Sequence, residues 1–192
     1  MKSKFILSSL FVLFSFVLIQ CNSGEKKENE KPGQADLKKR INVMDDSLKV
    51  LYKELMNDPT KQIPSLAIYE TINRYLEFYK NYPKDVYSAT CLDKVQQLYL
   101  QEKVYEKSLE YTDTLLVNFP KYEKRAGLLL NAGSTCDMLQ DKVNMEKYYK
   151  MLLKENPNLN KETRDMVEFR LKHIDLTFDQ LIELQMKEIS EK

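Results

Sequence analysis

Residues 105–120 read Tyr-Glu-Lys-Ser-Leu-Glu-Tyr-Thr-Asp-Thr-Leu-Leu-Val-Asn-Phe-Pro. Tyr105, Ser108, Leu109, Thr112, Leu115, Leu116 and Phe119 recur at the i, i+3, i+4, i+7 spacing that lines one face of an α-helix. Pro120 ends that helix, because proline lacks an amide hydrogen and disfavours helical backbone in the residue before it. A second face follows at Met145, Tyr148, Tyr149, Leu152 and Leu153, closed by Pro157. Tyr82-Pro83, Phe119-Pro120 and Asn156-Pro157 lie 37 residues apart. The same offset relates Phe78, Leu115 and Leu152, then Tyr79, Leu116 and Leu153, and more loosely Tyr75, Thr112 and Tyr149. A fixed period of this size marks stacked helix-turn-helix units, each burying its apolar face on its neighbours.

Working outward, the periodicity predicts eight helices near 36–57, 65–81, 85–101, 104–118, 122–139, 142–155, 161–174 and 178–189. Beyond residue 35 the only glycines are Gly127 and Gly133, too few for the turns of a sheet-rich fold. Thr177 with Gln180 three residues later is a capping-box signal for the last helix. Residues 57–64 separate the first helix from the second, and the final pair has no closing proline, so these flanks read as the caps a solenoid requires. The fold class is all-α, in one domain spanning 36–192.

Set out by period, these residues resemble the tetratricopeptide repeat. Leu92, Val95, Tyr99, Ser108, Thr112 and Leu115 occupy the pattern's places in the unit ending at Pro120. Leu129, Ala132, Gly133, Cys136, Met145, Tyr149 and Leu152 do so in the unit ending at Pro157. Gly133 falls on the family's close-packing glycine, while Gln96 stands there one unit earlier and Met145 replaces the usual alanine. A period of 37 against the family's usual length of about 34 matches the longer repeats of periplasmic members. The resemblance implies a short right-handed superhelix of antiparallel helix pairs, with partners held in a groove lined by the first helix of each pair. Carried over by position, that groove comprises Thr90, Asp93, Gln97, Leu100, Gln101, Leu130, Ser134, Asp137 and Met138.

The N-terminal region sets location. Lys2 and Lys4 precede an apolar run from Phe5 to Ile19, the pattern of an export signal and shorter than the roughly 20 residues that span a bilayer. Leu18-Ile19-Gln20-Cys21 resembles the lipobox of bacterial lipoproteins, although Gln20 stands where a small residue is usual. That resemblance implies cleavage after residue 20 and a lipid such as palmitate on Cys21. Residues 21–35, with no large apolar side chain, read as a tether. Asn22 is not the aspartate that retains many lipoproteins in the inner membrane, which implies the outer membrane, on its periplasmic side.

Charge excludes some partners. The chain has 30 basic and 29 acidic residues, and loss of Lys2 and Lys4 leaves the mature protein near neutral. Without a basic excess or a lysine stripe interleaved with exposed aromatics, no nucleic acid is expected as a partner. Nor is a catalytic centre: His173 is the single histidine, and there is no cysteine cluster for metal, no phosphate-binding glycine loop and no nucleophile elbow. His173, late in a helix, is expected near its C-terminal carbonyls. Cys91 and Cys136 are expected as buried free thiols, because the repeat phase places them about 12 Å apart along the helix direction. The 12 tyrosines are read mainly as packing residues with their hydroxyls reaching the surface.

These readings lead to a membrane-anchored, noncatalytic adaptor that binds a protein or peptide in the envelope, with no cofactor and no metal. The alternatives are a lipoprotein that binds a glycan or small ligand, and an accessory subunit of an outer-membrane assembly complex.

Overall fold

The computed structural model describes residues 31–190, so the expected export signal, Cys21 and most of the expected 21–35 tether lie outside the described residues. Among those residues there are eight helices and no strand. They are α1 (Gln34–Asn57), α2 (Ser65–Asn81), α3 (Val86–Gln101), α4 (Tyr105–Asn118), α5 (Arg125–Met138), α6 (Lys142–Glu155), α7 (Lys161–Lys172) and α8 (Phe178–Ser190). From α1 to α7 each helix packs on the next, most extensively α3 on α4 and α5 on α6. Successive helices are joined by connections of three to seven residues.

Side chains satisfy several helix starts. Asp85, Asp141 and Asn160 cap α3, α6 and α7 by accepting from the amides of Tyr87, Asn144 and Thr163. Thr177 and Gln180 form a reciprocal capping box: each backbone amide donates to the other's side-chain oxygen, at 2.9 and 3.3 Å. Between α1 and α2, Asp58 accepts from the amide and hydroxyl of Thr60, folding the loop back on itself.

The 37-residue period of the sequence is also a period of the backbone. After α3, the amides of Glu102, Lys103 and Val104 donate to the carbonyls of Leu98, Leu100 and Tyr99. After α5, Leu139, Gln140 and Asp141 donate to Thr135, Asp137 and Cys136, each 37 residues further on. Lys103 (φ 59°) and Gln140 (φ 57°) take the left-handed conformation at matching places. At the other turns, Tyr82, Phe119 and Asn156 close α2, α4 and α6 with near-identical angles and donate to Phe78, Leu115 and Leu152.

Two apolar cores share α3. One gathers Leu37, Ile41, Leu48, Ile68, Ile72, Tyr75 and Phe78 against Cys91, Val95 and Leu98. The other gathers Ala89 and Leu92 with Leu115, Leu128, Leu129, Ala132, Cys136, Met145, Tyr148, Leu152 and Val167. Opposite sides of α3 therefore bury into different cores, at about 1.5–3 kcal/mol for each large side chain removed from water. Phe78, Leu115 and Leu152, the sequence positions that keep the period, are all fully buried. A methyl group on Gly133 would lie 2.2 Å from Cε1 of Tyr149, so α5 and α6 approach closely there.

Candidate functional site

Six of the nine residues carried over to the groove are divided among three clefts, and Asp93, Leu100 and Leu130 line none of the three. The first lies between α1 and α3 with α2 as its floor, has a volume of about 300 Å³, and includes Gln97 and Gln101. There the Tyr75 hydroxyl donates to both carboxylate oxygens of Asp45, at 2.6 and 2.8 Å. Burial and the neighbouring carboxylate raise the Tyr75 hydroxyl well above the ordinary phenol range, which keeps it a donor. At the rim the Tyr52 hydroxyl donates to the side-chain carbonyl of Gln101.

Asp93 does not line an open surface. It is 2% exposed, and Oδ1 accepts from the side-chain amides of Gln96 and Gln97 at 3.0 and 2.9 Å. Oδ2 accepts from the Tyr122 hydroxyl at 2.9 Å and the Lys124 ammonium at 3.5 Å. The carboxylate thus ties α3 to the α4–α5 turn. Burial, then the hydrogen bond to Asp93, raise the Tyr122 hydroxyl. Thr90 is half-buried in the second cleft, about 550 Å³, between the start of α3 and the same turn at Phe119, Pro120 and Tyr122.

The third cleft has a volume of about 390 Å³ and joins Ser134, Asp137 and Met138 of α5 to Tyr149 of α6, with Met166 and Phe169 of α7 and Ile182 of α8 at its walls. Asp137 is engaged by Arg170, whose Nε and Nη2 donate to the two carboxylate oxygens at 2.7 Å each. The same guanidinium donates to the carbonyls of His173 at 2.6 Å and Leu176 at 3.2 Å. Arg170 is buried to 9% exposure and clamps α5, the end of α7 and the turn into α8 together. It was not among the residues carried over by repeat phase. Its signal in the sequence is an arginine on the apolar stripe Val167, Arg170, Ile174.

Leu100 and Leu130 are half-buried, Leu130 against the second core. At the end of α7 the carbonyl of His173 is held by Arg170, while the imidazole packs on the Phe169 ring at 4.6 Å. Cys91 and Cys136 are unpaired and fully buried in separate cores, and burial pushes both thiols up to about 12. Among the described residues no group of three His, Cys, Asp or Glu is gathered as for a metal ion. Tyr75 and Tyr148 are buried, with hydroxyls on Asp45 and Asp113, whereas Tyr69 is 38% exposed.

No family model matches the chain, and no curated protein matches its sequence.

Proposed function

We propose that the chain is a membrane-anchored, noncatalytic adaptor that captures a protein or peptide in the bacterial envelope, through the cleft between α5, α7 and α8. The observation that carries this reading is the wall of that cleft. Met138, Met166 and Ile182 are 63%, 48% and 41% exposed around a floor containing Tyr149. Unbranched, polarisable methionine side chains adapt to apolar partners of different shapes. An amphipathic partner helix would place its apolar face there and its polar face towards Ser134.

Two further observations support parts of the reading. The carboxylates of Asp93 and Asp137 are occupied by internal donors, which favours a scaffolding over a catalytic use. The 37-residue recurrence of turn geometry favours tetratricopeptide-like units in a short right-handed superhelix. Anchorage through a lipid on Cys21, at the periplasmic side of the outer membrane, rests on the sequence pattern.

A second reading, a binding lipoprotein for a glycan or other small polar ligand, is favoured by the α1–α3 cleft. Asp45, Tyr52, Gln97 and Gln101 bring hydrogen-bonding groups together there.

The test is affinity capture from solubilised envelopes with the anchored protein, a Cys21→Ala form and a Met138→Lys/Met166→Lys form. The expected result is enrichment of an envelope protein by the first and its loss from the third. Equal recovery by the first and third removes the role of the cleft, and enrichment by none overturns the adaptor reading.

A further inference from the structure

Shifted by 37, α5 and α6 would begin at residues 162 and 179, within one residue of where α7 and α8 begin. The last helix pair is therefore in phase with the two before it, yet its packing is not. Helix α3 packs closely on α4 and α5 on α6, whereas α7 and α8 show no such packing among the described residues. Leu92 and Leu129 on the first helices, with Ser108, Thr112, Met145 and Tyr149 on the second, are all buried to 3% exposure or less. One period after these positions stand Met166, Ile182 and Met186, and all three are exposed, Met186 to 67%. The places that shut the two preceding pairs thus lie open in the last, and Met166 and Ile182 are walls of the cleft between α5, α7 and α8.

The turn between α7 and α8 is remade as well. Helices α3 and α5 end at matching residues, Gln101 and Met138, and the next match is Asp175, but α7 stops at Lys172. Thr177 matches Lys103 and Gln140 without sharing their left-handed backbone, which a β-branched side chain resists. Its amide donates to the Gln180 side chain at 2.9 Å and not to Ile174, the match of the acceptors Leu100 and Asp137. The His173 carbonyl, the match of Tyr99 and Cys136, accepts from Arg170 at 2.6 Å. Arg170 itself stands one period after Gly133, where α5 and α6 approach closely, and two after the buried Gln96. Its guanidinium is drawn away to Asp137 and to the carbonyls of His173 and Leu176. In a closed pair that side chain would stand between the two helices.

We infer that α8 is a movable wall of this cleft, hinged at residues 173–177, with Arg170 as the catch that holds it open. Packed on α7 in register, α8 would cover Met166 with Ile182 and Met186 and shut the cleft. That arrangement gains the burial of three apolar side chains. It gives up the hydrogen bonds of Arg170 and puts Thr177 into left-handed backbone. Each packing forgoes what the other gains, which is the condition for one segment with two arrangements. A partner that fills the cleft binds only the open one and draws the population towards it. That consequence rests on the cleft as the capture site proposed above, whereas the two arrangements of α8 do not.

The test measures spin-label distances in the full mature chain from residue 21 with Cys21→Ser, in which the fold keeps Cys91 and Cys136 buried away from the label. One pair of labels goes on α7 and α8 through Glu168→Cys/Glu183→Cys. The other goes on the same places of α5 and α6 through Asn131→Cys/Glu146→Cys and gives the distance of a closed pair. The α7/α8 labels should show a longer main distance, with a minor component at the closed value. Arg170→Gln/Thr177→Gln, which restores the side chains of Gln96 and Gln140 at their matching places, should raise that component on the order of 10-fold or more, since loss of one charge-assisted hydrogen bond suffices for it. Arg164→Gln removes an arginine of α7 that bonds Asn156 and Pro157 and leaves the α7–α8 turn alone, so the component should stay as it is. A native chain without the closed component, one distance shared by both label pairs, no rise in the double variant, or an equal rise with Arg164→Gln overturns the inference. If the α5/α6 distance shows the double variant unfolded, Thr177→Asn alone decides: asparagine accepts left-handed backbone, and no rise overturns the inference as well. Capture from solubilised envelopes separates the two readings. Reduced capture by the double variant supports both; a full distance shift with unchanged capture keeps the movable wall and overturns the cleft as capture site. No capture by the native chain overturns the adaptor reading alone.

Discussion

At the scale of single residues, Arg170 carries more structure than any other polar side chain in the C-terminal half. Removing it would leave the Asp137 carboxylate without its two donors and free the carbonyls of His173 and Leu176. Arg170→Met should cost about 2–4 kcal/mol in denaturant unfolding, less than for a fully buried pair because the Asp137 side chain is 23% exposed. Arg170→Lys should recover little of that, because an ammonium cannot supply the planar two-bond fork. Repeat phase identifies the helix face that carries Asp137. It does not reveal the Arg170 partner 33 residues away, because this polar pairing across units leaves no periodic trace. The same reason hides the donors from Tyr122 and Lys124 that occupy Asp93. The thiols yield a second expectation. Cys91 and Cys136 are held protonated, with folded values pushed up to about 12 against an ordinary 9.0. Their contribution to stability is complete below about pH 9 and is lost as pH rises towards about 12. Thermal melts should therefore show Tm declining over that window. At pH 8 a thiol reagent should mark neither cysteine by mass until the protein is unfolded.

Helices and turns form the next scale, and here the sequence was most informative. Proline spacing and apolar faces gave all eight elements, with ends within about three residues of those observed. The prolines work as markers because each forces a stop whatever the surroundings. The left-handed turn residues are less visible, since lysine and glutamine carry no turn preference that would mark positions 103 and 140. Helix α5 offers a controlled comparison. Gly127→Ala meets no atom within 4 Å and should stabilise by about 1 kcal/mol through helix propensity alone. Gly133→Ala places its methyl 2.2 Å from the Tyr149 ring, which is itself buried, and should destabilise by roughly 1–2 kcal/mol after the propensity gain. Urea denaturation of the two variants should give shifts of opposite sign. Two stabilising shifts would show that Tyr149 can move aside.

For the whole molecule, the two cores are coupled through α3, whose Cys91, Val95 and Leu98 face one and whose Ala89 and Leu92 face the other. Helix α3 cannot open without disturbing both, whereas Leu181 is the one buried side chain described in α8. Native-state hydrogen exchange should find the slowest amides in α3 and the fastest in α8, with α8 opening well below the global unfolding free energy. Uniform protection would contradict this division. The sequence showed that α3 bears apolar residues but not that they divide between two cores, which depends on how the first and third pairs close around it. The matched turns at Lys103 and Gln140 have a different consequence. The chain leaves each with the same backbone bonds and the same handedness, and so enters residue 104 and residue 141 on equivalent headings. A copy of residues 104–140 spliced after Gln140 would begin where a unit is due to begin and hand the chain on to α6 unchanged. Length is thus a variable that gene duplication can adjust in whole steps, adding helix pairs while the first and last helices keep their sequences.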